Sequence, residues 1–199
     1  MENTGGDEVK VGEILKTLEN GNRPKGGITG ISTGALSLGG EHIHANSGKI
    51  NLSNPKFVPI EFFEKASRGI LKENDILICK DGALTGKIAL LGNELVNKKA
   101  MINEHVFLLR VDNLDTQKYL FYYLFGKDGQ NLIKDKITGQ AQGGLNSTNL
   151  KEIKIPLPPL ATQQKIVAQI QEIEKKIESL QTVLDSVKTQ KEQVLKKYL

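Results

Sequence analysis

The sequence predicts an α+β protein, in which a mixed, loop-rich α/β domain is followed by one long C-terminal α-helix. Up to about residue 157, short apolar runs alternate with Gly, Asn and Pro, a pattern typical of short strands and helices joined by turns. Neither Gly nor Pro occurs from Leu160 to Leu199, where apolar residues recur at alternating steps of four and three. We therefore expect a globular domain at residues 1–158 and a helix at residues 159–199.

Four apolar runs bounded by turn residues predict strands in the domain, and two longer segments predict helices. The strand candidates are HIHA (42–45), ILICK (76–80), KIALL (87–91) and HVFLLRV (105–111), and the helix candidates are residues 59–66 and 116–126. Aromatic side chains crowd the second helix at Tyr119, Tyr122, Tyr123 and Phe125. Helical spacing favours a core face for these side chains, and a platform for stacking nucleic-acid bases is the alternative.

The C-terminal segment carries a heptad pattern over most of its length. Its a positions are Ile170, Ile177, Leu184, Lys191 and Tyr198, and its d positions are Ile166, Ile173, Leu180, Val187 and Val194. A helix of about 39 residues rising ~1.5 Å each is roughly 58 Å long, against a radius of gyration of roughly 15 Å for the domain. The domain cannot cover the whole seam, so we expect a second helix to pair with it. The predicted dimer-interface residues are Ile166, Ile170, Ile173, Ile177, Leu180, Leu184, Val187 and Val194.

The single charged residue in the seam favours an antiparallel pair of identical helices. In a parallel homodimer, Lys191 would face its own copy at a core position. In an antiparallel register, Leu184 faces Leu180 of the second copy, and Glu174 lies opposite Lys188. Three further apolar residues beside the seam, which offer a surface for other helices, are Val167, Val183 and Leu195.

Composition narrows the class of protein only slightly. A net charge of +4 and a pI near 9.0 are compatible with a polyanionic partner. The one cysteine, Cys79, lies in an apolar run, so we expect a buried, reduced thiol. No run of about 18 apolar residues is present, and the first ten residues lack the apolar stretch of a secretory signal. We expect a cytoplasmic protein that does not contact membranes.

The usual signatures of catalysis and of metal or cofactor binding are absent from the sequence. KDGALTGK has three residues instead of four between its glycines and no Ser or Thr after Lys87, so it is not a phosphate-binding loop. His42 and His44 would share one face of a strand, where a plain polar strand is favoured over a metal site. We predict no catalytic residue, metal or cofactor in this chain, with a small hydrolase that uses Lys80, Asp81 and Lys87 as the least favoured alternative.

Four polar, glycine-containing loops are candidates for contact with DNA. Arg suits the edge of guanine, Asn and Gln suit adenine, Lys binds phosphate, and glycines let the backbone approach the duplex. For any one of these residues, the alternative is an ordinary solvated connection. The predicted DNA-contact residues are Arg23, Lys25, Lys80, Lys87, Asn103, His105, Gln140, Gln142, Asn146 and Asn149.

Several stretches, in order along nearly the whole chain, resemble the specificity subunits of type I restriction-modification systems. The most specific is NLKEIKIPLPPLATQQKIV, which is similar to the family's transition from a target-recognition domain into a spacer helix, and KDGALTGK is also typical. The resemblance implies a subunit without an active site, which binds double-stranded DNA and recruits methyltransferase subunits. It places S-adenosylmethionine in those partners, and Mg and ATP in a restriction subunit where one is present.

Usual members of this family carry two recognition domains and two spacer helices, whereas this chain has one of each. It therefore resembles a half-size form, natural or truncated, of which two copies would restore the full arrangement. A homodimer of this kind would read an inverted-repeat, bipartite DNA target, and a mixed dimer with another half would read an asymmetric one. The alternative function is an oligomeric adaptor, whose domain binds protein and whose coiled-coil tail assembles it.

Overall fold

Three small β-sheets and six α-helices form the fold. The computed structural model describes residues 6–138 and 143–198, and the elements below are those of the described residues. The strands are β1 (Asp7–Lys10), β2 (Thr17–Asn20), β3 (Ala35–Leu38), β4 (Phe57–Val58), β5 (Ile76–Cys79), β6 (Ile88–Leu90), β7 (Ala100–Ile102), β8 (Val106–Arg110) and β9 (Lys154–Leu157). The helices are α1 (Val11–Ile14), α2 (Ile60–Glu64), α3 (Leu114–Phe125), α4 (Lys127–Asp135), α5 (Ser147–Lys151) and α6 (Leu160–Tyr198). The predicted α+β class with a long C-terminal helix is confirmed.

The central sheet has the strand order β2-β8-β5-β6 and is antiparallel throughout. Its two middle strands are buried on both faces, since alternate residues enter different cores. Ile76, Ile78 and Leu109 pack in one apolar cluster together with residues of α3, while Leu77 and Leu108 pack in a second cluster on the opposite face. This double burial explains why these strands are continuous apolar runs, and the three strands predicted here are confirmed.

The strand predicted at HIHA is wrong. Residues Gly40–His42 form a 3-10 turn, and Ile43 makes only an isolated bridge to Ile50. The cause is close packing, because a Cβ on Gly40 would lie 2.5 Å from the Sγ of Cys79. His42 is therefore buried and His44 is exposed, so the two histidines do not share a face.

Two smaller sheets flank the central one. The strands β1 and β9 form an antiparallel pair, and β3 pairs antiparallel with β4 and parallel with β7. A third apolar cluster, built on Ala35, Val58 and Met101, lies in the sheet of β4, β3 and β7 and contacts α2. The helix α2 confirms the prediction at residues 59–66, with Pro59 in extended backbone immediately before it.

The helix α3 begins two residues before the predicted start because Asn113 caps it. The Asn113 side chain accepts hydrogen bonds from the backbone N–H groups of Asp115 and Thr116. Tyr119 is buried and donates a hydrogen bond from its hydroxyl to the carbonyl of Pro156, at 2.9 Å. The other aromatic side chains of this helix also pack in or against the first apolar cluster. The core interpretation of the aromatic residues is confirmed.

The long helix α6 packs against α3 over its first turns and leaves its remaining length bare. Gln163 and Val167 are 96% buried, Ile166 and Ile170 are half-buried, and the Tyr122 hydroxyl donates to the carboxylate of Glu174 at 2.7 Å. Val167 and Glu174 thus face their own domain, whereas the heptad pattern had left Val167 for further helices and Glu174 for the partner helix. The large apolar side chains exposed farther along are Ile173, Ile177, Leu180, Val183, Leu184, Val187, Val194, Leu195 and Tyr198.

Among the described residues, no helix is both long enough and apolar enough to cross a membrane.

The ion pair of Asp75 with Arg110 is expected to be the most costly one to break. Asp75 is 2% exposed, and its carboxylate accepts hydrogen bonds from Arg110 Nε at 2.6 Å, Arg110 Nη2 at 2.7 Å and the backbone of Lys72 at 2.7 Å. Asp75→Ala leaves the guanidinium without its carboxylate and should lower the free energy of unfolding by about 3–5 kcal/mol. Denaturation with urea measures the loss.

Asp112→Ala is the matched control, because Asp112 pairs with Lys16 on the exposed surface. This change should cost at most ~1 kcal/mol. Equal losses for the two variants would contradict the role assigned to the buried pair.

Candidate nucleic-acid interface

One edge of the central sheet brings together two of the predicted DNA-contact loops and the segment 103–105, which carries the predicted contacts Asn103 and His105. The strand β5 ends where β8 begins, with Cys79 opposite Val106, and β2 ends beside them, with Asn20 opposite Phe107. The loops at residues 21–27, 80–87 and 103–105 therefore leave or enter the sheet at the same edge. The antiparallel register alone produces this meeting of segments that are far apart in sequence.

The fourth loop is joined to the same edge by hydrogen bonds. The backbone N–H of Leu145 donates to the carbonyl of Lys80 at 2.7 Å, and the Thr85 hydroxyl donates to the carbonyl of Gly143 at 3.2 Å. The predicted contacts Gln140 and Gln142 lie outside the described residues.

Two predicted contacts in this fourth loop have local structural roles. Asn146 caps α5, since its side-chain oxygen accepts from the backbone N–H of Asn149 at 2.8 Å. The Asn149 side chain donates to the carbonyl of Lys136 at 3.0 Å and is half-buried. Asn146 remains exposed, so it is the more accessible of the two.

Charged side chains at this edge, five of them from residues 21–27, 80–87 and 103–105 and the other two Glu41 and Lys56, form what we call the charged cluster. Its members are Arg23, Glu41, Lys56, Lys80, Asp81, Glu104 and His105. Arg23 Nη1 lies 2.9 Å from Glu104 Oε1, and His105 Nδ1 donates to Asp81 Oδ1 at 2.5 Å. His105 Nε2 lies 3.4 Å from Glu104 Oε1, which links the two pairs.

Two surface cavities adjoin the charged cluster. One of about 330 Å³ is lined by Arg23, Lys56 and Glu104 among others, and the other, of about 520 Å³, is lined by Asp81, Gly82 and the 3-10 turn. Glu41 and His105 line both cavities, so they are a single indented surface. Gly82 has a φ of +80°, a backbone conformation that favours glycine at this turn.

The lysines predicted to contact DNA differ in their exposure and in their neighbours. Lys25 is exposed on its loop. Lys80 is half-buried, with its ammonium 5.6 Å from the centroid of the Phe107 ring and 3.8 Å from Asp81 Oδ2. Lys87 is half-buried at the start of β6, where its carbonyl accepts from the backbone of Cys79. Asn103 uses its side-chain oxygen to accept from the backbone N–H of His105 at 2.9 Å, which shapes that turn.

Sequence reasoning missed Glu41, Lys56 and Glu104. Lys56 Nζ lies 2.5 Å from Glu41 Oε1, although 15 positions separate the two residues in sequence. Carboxylates are not expected at a phosphate-binding surface, and no local pattern marks these residues. The glycine pair beside Glu41 was the available signal, since it indicates a close approach of backbone at that point.

No group of three or more His, Cys, Asp or Glu side chains suited to hold a metal ion was found over residues 6–138 and 143–198. Cys79 is buried beneath the 3-10 turn, and burial raises the pKa of its thiol. His42 supports the same turn from inside: the Gly39 N–H donates to its Nδ1 at 2.9 Å, and its Nε2 lies 3.3 Å from the carbonyl of Asn54. Burial lowers the pKa of His42.

Comparison with known families identifies the class of protein. Residues 7–189 match the family model described as the type I restriction modification DNA specificity domain. The match covers most of the chain, which therefore belongs to this family of specificity subunits.

Individual relatives agree with this assignment. The chain is 25% identical over 153 residues to the specificity subunit of the type I restriction enzyme MjaVIII from Methanocaldococcus jannaschii, a match that covers 74% of this chain and 35% of the relative.

Solved structures share the fold at lower sequence identity. The HsdS subunit from Thermoanaerobacter tengcongensis matches with a TM-score of 0.61 and 21% identity, over 90% of this chain and 40% of that one. The S subunit from M. genitalium gives a TM-score of 0.61 and 14% identity, over 92% and 42% of the two chains. The chain thus spans less than half the length of the relatives it matches.

The buried histidine predicts a pH dependence of stability. The unfolded chain takes up a proton at His42 as pH falls through about 6.5, whereas the folded chain, in which its pKa is lowered, resists protonation. The free energy of unfolding should therefore decrease as pH falls below 6.5. His42→Gln should flatten this dependence between pH 7.5 and pH 5.5, as measured by urea denaturation. The exposed His44→Gln is the control and should keep it, and an unchanged slope in His42→Gln would contradict the role of His42.

Proposed function

We propose that this chain is the DNA sequence-specificity subunit of a type I restriction-modification complex and carries no active site of its own. Membership of the specificity family supports the proposal. The observation that carries it further is the convergence of polar loops on one edge of the sheet, in a chain whose long helix also leaves an apolar seam exposed. One part of the chain is arranged to contact a ligand, and the other to pair with a helix.

Base recognition is assigned to the loops around the charged cluster. Arg23 is exposed and has the planar fork of donors that fits the O6 and N7 atoms of guanine. Lys25 and Lys80 supply positive charge beside it for phosphates, and Asn103 and His105 complete the central part of the surface. The other members of the proposed contact set are Lys87, Gln140, Gln142, Asn146 and Asn149.

Pairing of two copies is assigned to α6. Each fully buried side chain of the seam would contribute up to about 1.5–3 kcal/mol, and the large apolar side chains of the seam from Ile173 onward are exposed. Because the first turns of α6 contact α3, the far end of one helix would lie near the domain of the other copy in an antiparallel pair. Two recognition surfaces would then face one DNA duplex at a fixed separation, which suits a bipartite inverted repeat.

The partners of this proposed dimer are the subunits that carry the chemistry. Adenine methyltransferase subunits would bring S-adenosylmethionine, and a restriction subunit, where present, would bring ATP and Mg for translocation and cleavage. Val183 and Leu195 are exposed beside the seam and offer apolar surface for seating a methyltransferase subunit. The complex would act in the cytoplasm.

One charged substitution tests whether the apolar seam of α6 pairs two copies. Leu184→Glu places a carboxylate at the middle of the proposed pair and should convert the dimer to monomers, because the two carboxylates, one from each copy, would be buried in the seam without partners. Sedimentation equilibrium at several concentrations measures the mass. Ser186→Glu, two residues away on the outer face of the same exposed helix, is the control and should remain dimeric. A wild-type chain that stays monomeric at high concentration would contradict the proposed pairing.

Sequence selection is tested with the chain bound to its methyltransferase subunits. Selection from random double-stranded DNA should yield an inverted repeat with an unspecified gap, and the logarithm of affinity should fall linearly with the logarithm of salt concentration. An asymmetric motif would indicate a mixed dimer. The absence of any base preference would contradict DNA recognition and favour an adaptor that binds protein.

A further inference from the structure

Each of three cations in the charged cluster is held by a carboxylate of the same surface. The pairs are Arg23 with Glu104 at 2.9 Å, Lys56 with Glu41 at 2.5 Å and Lys80 with Asp81 at 3.8 Å. These six side chains carry no net charge. A surface that bound DNA only through its phosphates would present an excess of positive charge, as non-specific binding requires.

The pair formed by Arg23 and Glu104 is the best placed of the three for reading bases. Both residues line the 330 Å³ cavity at the sheet edge, next to Asn103 and His105. The Glu104 side chain is 30% exposed and that of Arg23 is 55% exposed, so the pair is accessible from solvent. Glu104 Oε2 is buried without a hydrogen-bond partner among the described residues, which leaves one acceptor of this carboxylate unsatisfied.

A neighbouring guanidinium and carboxylate match the major-groove edge of one base pair. A G·C pair presents two acceptors on guanine, O6 and N7, beside one donor on cytosine, the N4 amino group. Arg donates to the two guanine atoms, and Glu accepts from the cytosine amino group. Opening of the Arg23–Glu104 pair toward DNA would therefore give each member a partner of the required kind, and a turn of the Glu104 side chain would bring Oε2 to a donor.

We propose that Glu104 is a specificity-determining residue, which together with Arg23 reads one G·C base pair in each half-site. The proposal rests on the proposed function, and it adds a carboxylate to a set of contacts that otherwise consists of cations, amides and a histidine. On other DNA sequences, opening of the Arg23–Glu104 pair is unfavourable, because Glu104 would face acceptors on the bases or phosphates. Arg23 would then remain paired with Glu104. Glu104 thereby also weakens non-specific binding.

The test compares Glu104→Gln and Arg23→Gln in the full-length chain with its methyltransferase subunits. Selection from random double-stranded DNA should show that both variants lose preference at the same base pair of the wild-type motif, by roughly 10- to 100-fold in discrimination. Glu104→Gln should in addition bind a random-sequence duplex more tightly than wild type, with a salt slope steeper by ~0.9 for each copy in the dimer, because Arg23 is released to phosphates. Arg23→Gln should bind the same duplex no more tightly than wild type.

Glu172→Gln is the matched control, since Glu172 is exposed on α6 and forms an ion pair with Lys176 of the same helix. It should select the wild-type motif with unchanged salt slope. Thermal unfolding of each variant reports its folding, and Arg23→Gln breaks the same pair from its more exposed side if Glu104→Gln does not fold. A wild-type motif retained by the folded variants would overturn this proposal alone, whereas a wild-type complex without any motif would overturn the proposed function.

Discussion

The pairing of β5 with β8 is the constraint on which both parts of the molecule depend. Because the two strands are antiparallel, the end of one and the start of the other deliver Asp81 and His105 to the same edge, close enough for a hydrogen bond of 2.5 Å. The faces of the same strands build two apolar cores, and the first core holds α3. Since α3 in turn carries the first turns of α6, the proposed reading surface and the long helix are fixed to a single rigid pair of strands.

The division of α6 into a covered and a bare part follows from which of its residues meet α3. Gln163 and Val167, four positions apart, lie on one face, and their burial fixes the direction in which the helix leaves the domain. Tyr122 donates to Glu174 and Lys49 pairs with Glu178, so polar contacts extend this attachment beyond the apolar part. Beyond that point the seam has no cover from its own domain, and a second helix is the simplest way to bury it without moving the recognition loops.

The local sequence pattern was sufficient to predict the elements built from apolar runs. It was insufficient where contacts between residues distant in sequence determine the structure. The central strands and the long helix follow from apolar runs and heptads, which depend only on neighbouring residues. The HIHA segment could not be predicted in this way, because Gly40 packs closely on Cys79 and the backbone there forms a 3-10 turn. In the same way, the loops of the candidate site could be predicted from their composition, but the pairing of Glu104 with Arg23 is a result of strand register. Val167 was expected to offer an apolar surface to further helices, because the heptad pattern does not show which face of the helix its own domain covers.

Antiparallel association of two copies along α6 is tested most directly by a distance between spin labels at Lys196→Cys, on the exposed far end of the helix. In the antiparallel register, position 196 faces position 168 of the second copy, so 28 residues rising ~1.5 Å each place the labels about 42 Å apart. Pulsed electron spin resonance should therefore give a distance near 40 Å. A distance within about 25 Å, roughly two helix diameters, would show parallel helices, and the absence of dipolar coupling would show a single chain; either result would contradict the arrangement proposed for DNA recognition.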